Sequence, residues 1–136
     1  MQIAPLLKKL SEARGVSGYE AEVRGIAAEE FGRYADEVQT DKLGNVIALK
    51  KGEDDEPRRR IMLAGHIDEI GLIVTKLEKG FIHFTEVGGF DERVLLGQEV
   101  MVHGRKDLPG IIGSRPPHVL PLEEREKTIP MDKLFI

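Results

Sequence analysis

Two segments at the start of the chain carry apolar residues at helical spacing. In residues 3–13 the apolar positions recur with the period of one helix face, and Gly15 is expected to end the helix. The stretch SGYE at 17–20 has the form of a capping box, in which Ser17 is the N-cap and Glu20 reaches back to its amide. The stripe that follows consists of Val23, Ile26, Ala27, Phe31 and Tyr34. We therefore expect two amphipathic helices, each covering another part of the protein.

The next segments have the patterns of β-structure. Residues 37–40 and 45–50 are strand-like runs around the turn DKLG, where Gly44 can take a positive φ. Residues 61–65, IMLAG, form a continuous apolar run that is typical of a strand buried on both faces. Helices followed by such a strand predict the start of a three-layer α/β domain.

The pattern changes near residue 72, and no helical stripe follows before Gly113. The candidate strands, separated by glycine-bearing turns, are 70–77, 81–86, 98–104 and 110–113. This succession of short strands is typical of a β-barrel or sandwich. We therefore divide the chain into an α/β part over residues 1–72 and a β-rich part over residues 73–136.

The length, composition and net charge of the chain exclude several classes of function. The length of 136 residues suits about one domain, and 40% hydrophobic with 32% charged residues describes a soluble globular protein. With a net charge of −4, the chain has no positive electrostatic field that would suit nucleic acid. No segment has the length of a membrane span. The RRR run at 58–60 is offset by EDDE at 53–56. Cysteine is absent, so a metal would need His, Asp or Glu ligands, and a cytoplasmic location is expected.

The clearest candidate site follows the apolar run 61–65. Ligands of open α/β sheets gather outside the carboxyl ends of the strands, which is where His66 would lie. In an extended segment His66 and Asp68 lie on the same side, so Asp68 can orient the ring while His66 binds a cation. Glu69 points to the opposite side and is expected to be structural. On the residues alone, the alternative of a polar strand end without a metal stays open.

The other three histidines are weaker candidates for a site. His83 is expected on the solvent face of a strand, His103 at a strand end, and His118 in a rigid loop after two prolines. The sequence contains no zincin motif, phosphate loop, nucleotide-binding glycine fingerprint or nucleophile elbow. Asp68 and Glu69 diverge on a strand and cannot by themselves form a glycosidase pair. A role for His118 is left open.

Six segments resemble, in order, the amino-terminal part of the tetrahedral or glutamyl (deblocking) aminopeptidases. These are co-catalytic metallopeptidases that are sometimes labelled endoglucanases. The segments are GVSGYE (15–20), DKLGNVIA (41–48), LAGHIDEIGLIV (63–74), GGFDERVLLGQEV (88–100), GIIGSRPPH (110–118) and MDKLFI (131–136). They cover nearly the whole chain, and the combination of GHIDEIG, PPH and DKLFI is highly specific.

The resemblance implies a fold and a site. His66 would bind one of two divalent ions, zinc or cobalt, and Asp68 would be the adjacent catalytic-site aspartate that supports it. Residues 1–72 would form the amino-terminal part of a three-layer α/β/α metallopeptidase domain. Residues 73–136 would form an incomplete inserted β-barrel-like domain through which family members pair and build hollow particles. The expected partners are peptide substrates and further copies of the chain, and neither nucleic acid nor a membrane is expected.

In the family, the remaining metal ligands and the general base follow the inserted domain. We therefore expect this chain to be the amino-terminal portion of an enzyme that removes amino-terminal residues from peptides, and to be inactive by itself. The alternative is a non-catalytic interaction module that associates with itself or with a full-length relative. A glycosidase, suggested only by the endoglucanase label, is the third hypothesis.

Overall fold

The computed structural model describes residues 2–53 and 59–136, which divide into two compact units, Met1–Glu69 and Ile70–Ile136. The first unit contains α1 (Ile3–Ser11), α2 (Ala21–Gly32), β1 (Glu37–Thr40) and β2 (Val46–Leu49). The second contains β3 (Gly71–Glu78), β4 (Phe81–Val87), β5 (Glu99–Val102) and β6 (Leu108–Ile111), together with short 3-10 helices. The mixed α/β character expected from the sequence is therefore confirmed. Across the described residues, no helix is long and apolar enough to cross a membrane.

The two predicted helices are present, but their apolar faces are only partly covered. Helix α1 ends at Ser11, four residues before the expected stop at Gly15, and none of its described residues is buried. In α2 only Val23 is buried, whereas Phe31 and Tyr34 keep about half of their surface exposed. The apolar stripes that predicted two covered faces are therefore only partly buried in the part of the chain that the structure describes.

The predicted capping box is wrong. Helix α2 begins at Ala21 with Glu20 in the N-cap position, and no side chain caps it. The Glu20 carboxylate accepts a hydrogen bond from the Gly18 amide, and the Ser17 hydroxyl donates to Asp68. A hydrogen bond to an ionised carboxylate is stronger than a bond between neutral groups, which gives Ser17 a better partner than a helix amide.

The β1–β2 hairpin forms as predicted. The two strands pair antiparallel from Glu37 opposite Leu49 to Thr40 opposite Val46. In the turn, the Asp41 carboxylate accepts hydrogen bonds from the backbone amides of residues 43 and 45, each at 2.9 Å. Gly44 has φ of 94°, a conformation that side chains other than glycine rarely adopt. Local turn chemistry thus favours this element.

The prediction of a doubly buried strand over residues 61–65 is wrong. This run forms no strand, and Ile61, Met62 and Leu63 are 87%, 88% and 93% exposed. A strand inside a sheet needs backbone partners on both sides, and no described residue pairs with this run. After this run, the first backbone pairing is an isolated parallel bridge between Glu69 and Val16, and the next strand begins at Gly71.

The second unit is built from two antiparallel hairpins. Strands β3 and β4 turn at Lys79-Gly80 as predicted, with an irregularity between Val74 and Lys76. Strand β6 starts at Leu108, two residues before the strand predicted at 110–113. Pro109 pairs with Met101, which is possible because a strand with one neighbour leaves half of its N–H groups out of the ladder.

The last three residues join the two hairpins around a common core. Ile136 exchanges two backbone hydrogen bonds with Ile82 of β4, and Phe135 exchanges two with Gly113 beyond β6. The core consists of Phe84, Leu95, Ile112 and Leu134. Burial of these four side chains is the main apolar stabilisation of the second unit.

Candidate functional site

His66 lies directly after the exposed run 61–65 and contacts Asp68 through one ring nitrogen. Nδ1 of His66 is 2.9 Å from Oδ1 of Asp68 and 3.1 Å from the Asp68 carbonyl oxygen. A carbonyl oxygen can only accept, so Nδ1 is the nitrogen that carries hydrogen. In the neutral ring Nε2 is therefore the acceptor, and the side chain is 86% exposed. This is the tautomer that can bind a metal ion through Nε2.

The two carboxylate oxygens of Asp68 have different partners. Oδ1 accepts from His66, and Oδ2 accepts from the Ser17 hydroxyl at 2.5 Å. These bonds, first that of Ser17 and then that of His66, hold the pKa of Asp68 below its ordinary value. Asp68 is therefore ionised at neutral pH and presents a negative charge to the imidazole.

Glu69 ties the segment of the candidate site to residues 15–17. Its amide donates to the Gly15 carbonyl at 2.7 Å, and its carboxylate accepts from the Gly15 amide at 3.2 Å. The Ser17 amide donates to the Glu69 carbonyl oxygen at 3.4 Å. These contacts agree with the structural role expected for Glu69, since they align two segments that lie far apart in the sequence.

The pair of His66 and Asp68 fits part of a metal site. Zinc sites use three or four protein ligands, and residues 2–53 and 59–136 contain no group of three His, Asp or Glu side chains placed to hold a metal ion. His66 offers one nitrogen, whereas Asp68 already accepts hydrogen bonds on both oxygens. The donor set thus fits one ligand and the carboxylate that orients it, and further ligands are needed.

The remaining histidines lie in the second unit and have other partners. His83 is half-buried with Nε2 4.0 Å from the Glu78 carboxylate, and His103 approaches Asp107 at 3.1 Å. His118 is exposed in the short helix Pro117–Val119. Sequence reasoning missed Ser17 as a partner of Asp68. The one signal for it was the presence of GVSGYE among the segments that resemble the family.

An exposed imidazole oriented by an ionised carboxylate is typical of the ligands in metal-dependent hydrolases. Residues 44–136 match the M42 glutamyl aminopeptidases. The chain therefore belongs to the M42 family of metal-dependent peptidases, which confirms the resemblance found in the sequence.

Relatives with known names and structures agree with this family. The chain is 38% identical to lysyl aminopeptidase of Pyrococcus furiosus over 117 residues, which are 84% of this chain and 33% of that protein. It superimposes on the TET aminopeptidase of the marine sediment archaeon Thaumarchaeota archaeon SCGC AB-539-E09 with a TM-score of 0.89 and 46% identity, over 97% of this chain and 37% of that chain.

A second solved structure is the TET1 peptidase of Pyrococcus horikoshii, which can assemble into a tetrahedron or a large octahedral shell. The TM-score is 0.79 at 37% identity, over 98% of this chain and 39% of that chain. The chain spans between 31% and 36% of the length of five curated aminopeptidases to which it is similar.

Proposed function

We propose that this chain is the amino-terminal portion of a metal-dependent aminopeptidase that removes amino-terminal residues from peptides. Residues 1–72 would belong to a three-layer α/β/α catalytic domain, and residues 73–136 to an inserted β-barrel-like domain. The observation that carries the proposal is the orientation of His66, whose Nδ1 is held by Asp68 so that Nε2 is available to a metal ion. Membership of the M42 family supports it.

In this proposal His66 binds one of two divalent ions, zinc or cobalt, and Asp68 supports it. When bound, the ions would polarise the peptide carbonyl and lower the pKa of a water molecule. Asp68 keeps hydrogen on Nδ1 of His66 and places its own negative charge beside the ring. Ser17 donates to Asp68 and so stabilises that charge.

The described residues supply only some of the groups that the reaction needs. A two-metal peptidase also requires a ligand shared by both ions and a carboxylate base for the attacking water. We therefore expect the 136-residue chain to be inactive by itself. Activity would need the polypeptide that corresponds to the remaining length of the relatives.

The experiment compares the chain alone with the chain co-expressed with the missing portion of a relative. Purified chain with zinc or cobalt is expected to release no more product from aminoacyl-nitroanilides than its His66→Ala variant. The co-expressed complex should regain turnover that His66→Ala abolishes and His103→Ala, a matched change in the second unit, leaves unchanged. Activity of the chain alone that depends on His66 would contradict the fragment hypothesis. An assembled complex whose turnover survives His66→Ala would contradict the role of His66.

A non-catalytic interaction module is the second candidate, and the exposed run Ile61, Met62 and Leu63 favours it. Three consecutive large apolar side chains in water favour association. In this alternative the chain would bind further copies of itself or a full-length relative, in part through the β-rich second unit. Assembly of the Pyrococcus horikoshii peptidase into shells supports homo-oligomerisation as a proposal. Association that is unaffected by His66→Ala, without restored turnover, would favour this candidate.

The glycosidase hypothesis finds no support in the geometry. Both oxygens of Asp68 accept bonds from Ser17 and His66, whereas the Glu69 carboxylate accepts from the Gly15 amide. Glycoside hydrolysis requires two carboxyl groups that face the same bond. These two acids instead serve separate hydrogen-bond networks.

A further inference from the structure

Ser17 is the first member of a chain of side-chain hydrogen bonds that ends on His66. Its hydroxyl donates to Oδ2 of Asp68 at 2.5 Å, and Nδ1 of His66 donates to Oδ1 of the same carboxylate at 2.9 Å. Ser17 and Asp68 are both partly buried, whereas the His66 ring is largely exposed. The serine therefore lies at the protected end of the chain of bonds and the imidazole at its solvent end.

We propose that Ser17 is a positioning residue for His66. Its hydroxyl fixes the rotation of the Asp68 carboxylate so that Oδ1 faces Nδ1, and the ring keeps the tautomer in which Nε2 is free to bind a metal ion. The inference rests on the proposed function in one respect, which is that this tautomer serves to bind a metal ion. The hydrogen-bond geometry itself involves only residues of this chain.

The carboxylate needs such an anchor because its final torsion is soft. Rotation about the Cβ–Cγ bond of aspartate has broad minima, so a carboxylate without a second partner samples many orientations. The His66 ring is 86% exposed, and water therefore competes for both Nδ1 and Oδ1. A bond between two mobile exposed groups contributes little. When Ser17 holds Oδ2, the carboxylate no longer rotates freely, and one of the two partners in the bond is fixed.

Ser17 can act as an anchor because its own backbone is held. Its amide donates to the Glu69 carbonyl, and Gly15 and Glu69 exchange hydrogen bonds beside it. The close approach depends on Gly15, since a Cβ at that position would lie 3.1 Å from Val23 Cγ1 and 3.4 Å from the Ile67 carbonyl oxygen. Backbone hydrogen bonds therefore tie residues 15–17 to residues 67–69.

A purely structural role for Ser17, as a helix cap, does not fit its contacts. Helix α2 begins at Ala21 and has no side-chain cap. A capping serine would affect stability and leave the His66 ring unchanged. The tautomer of His66 separates the two roles, because it responds to the partner of Nδ1.

The test reads the His66 tautomer in the metal-free chain by nitrogen NMR of ¹⁵N-labelled histidine, well above the pH at which imidazole is protonated. The His66→Ala spectrum assigns the signals. We expect the Nδ1–H form to be the major species in the parent chain and its population to fall in Ser17→Ala. Ser17→Thr, which keeps the hydroxyl, should retain it. Ser11→Ala is the matched control, since that hydroxyl donates to the Lys8 carbonyl of its own helix.

Two results would overturn the positioning role: a folded Ser17→Ala variant with the parent tautomer, or a folded Ser17→Thr variant that loses it. Amide spectra establish folding. If Ser17→Ala does not fold, Ser17→Cys replaces it, because a thiol of similar size is a weak donor and should lower the Nδ1–H population. A Ser17→Cys variant with the parent tautomer would overturn the role equally. The measurement needs neither metal nor substrate, so its failure is distinguishable from failure of the aminopeptidase proposal.

Discussion

At the scale of single residues, two carboxylates in this chain are held by specific donors. Asp68 accepts from Ser17 and His66, and Asp91 accepts from both the backbone and the guanidinium of Arg93. Donors that point at a carboxylate favour its ionised form and lower its pKa. This effect keeps a negative charge on Asp68 beside the candidate metal ligand. Asp91 is the N-cap of the short helix Glu92–Val94, where its side chain accepts from the Arg93 amide.

The first prediction is that Asp91 titrates far below an ordinary aspartate. The side chain of Arg93, followed by its amide, lowers the pKa of Asp91 to about 2. Because the folded pKa lies below the unfolded one, the stabilisation is complete above the ordinary pKa of about 3.9 and is lost as the pH falls through the folded value. Carboxyl-carbon NMR should show this midpoint. Arg93→Gln should raise it and Arg105→Gln, an exposed arginine of the same unit, should not, whereas an ordinary midpoint in the parent chain would refute the prediction.

At the scale of elements, the first unit depends on the contact between residues 15–17 and residues 67–69. The parallel bridge between Val16 and Glu69 brings Ser17 to Asp68. Gly15 is buried in this contact, and its nearest neighbours are the buried Val23 of α2 and a backbone carbonyl. Neither can move easily, because valine has few rotamers and the carbonyl belongs to the aligned segment.

The second prediction is that Gly15→Ala destabilises the first unit. Overpacking at this contact should cost about 1–3 kcal/mol. Gly25→Ala is the matched control, since it lies inside α2 with open space around its Cβ and should gain about 1 kcal/mol of helix stability. Urea unfolding followed by tyrosine fluorescence measures both variants, because Tyr19 and Tyr34 are the only tyrosines and belong to the first unit. Equal stabilities of the two variants would show that the contact is not tight.

At the scale of the whole molecule, the two units differ in how they bury apolar residues. The second unit surrounds Phe84, Leu95, Ile112 and Leu134 with further apolar side chains. In the first unit, the buried hydrophobic residues among those described are Ala13 and Val23. The run 61–63 remains exposed beside the candidate site. The surface that favours association therefore lies next to the residues proposed to bind metal.

The third prediction is that the exposed run promotes self-association. Leu63→Lys should lower the mass measured by light scattering at high protein concentration, because it places a charge within the apolar run. Leu43→Lys is the matched control, since Leu43 is 90% exposed but isolated in the β1–β2 turn, and the change adds the same charge. A monomeric parent chain, or an equal effect of both variants, would count against the prediction.

The sequence determined the features that depend on near neighbours. The β1–β2 hairpin follows from the turn around Gly44, and the contact between His66 and Asp68 follows from side chains two positions apart on an extended segment. The family was also evident, since its motifs lie within short stretches. In each case the interacting groups are joined by a few residues, so the chain brings them together at little entropic cost.

Only the tertiary structure decided how distant segments are paired. Ser17 bonds to Asp68 across 51 residues and Gly15 to Glu69 across 54, and the local pattern favoured a helix cap for Ser17 instead. The same limit explains the wrong prediction for residues 61–65. Their apolar pattern indicates a strand, but a strand exists only when neighbouring strands accept and donate its backbone hydrogen bonds. The apolar side chains of this run indicate that it favours burial. Whether another segment covers the run is decided by the tertiary contacts.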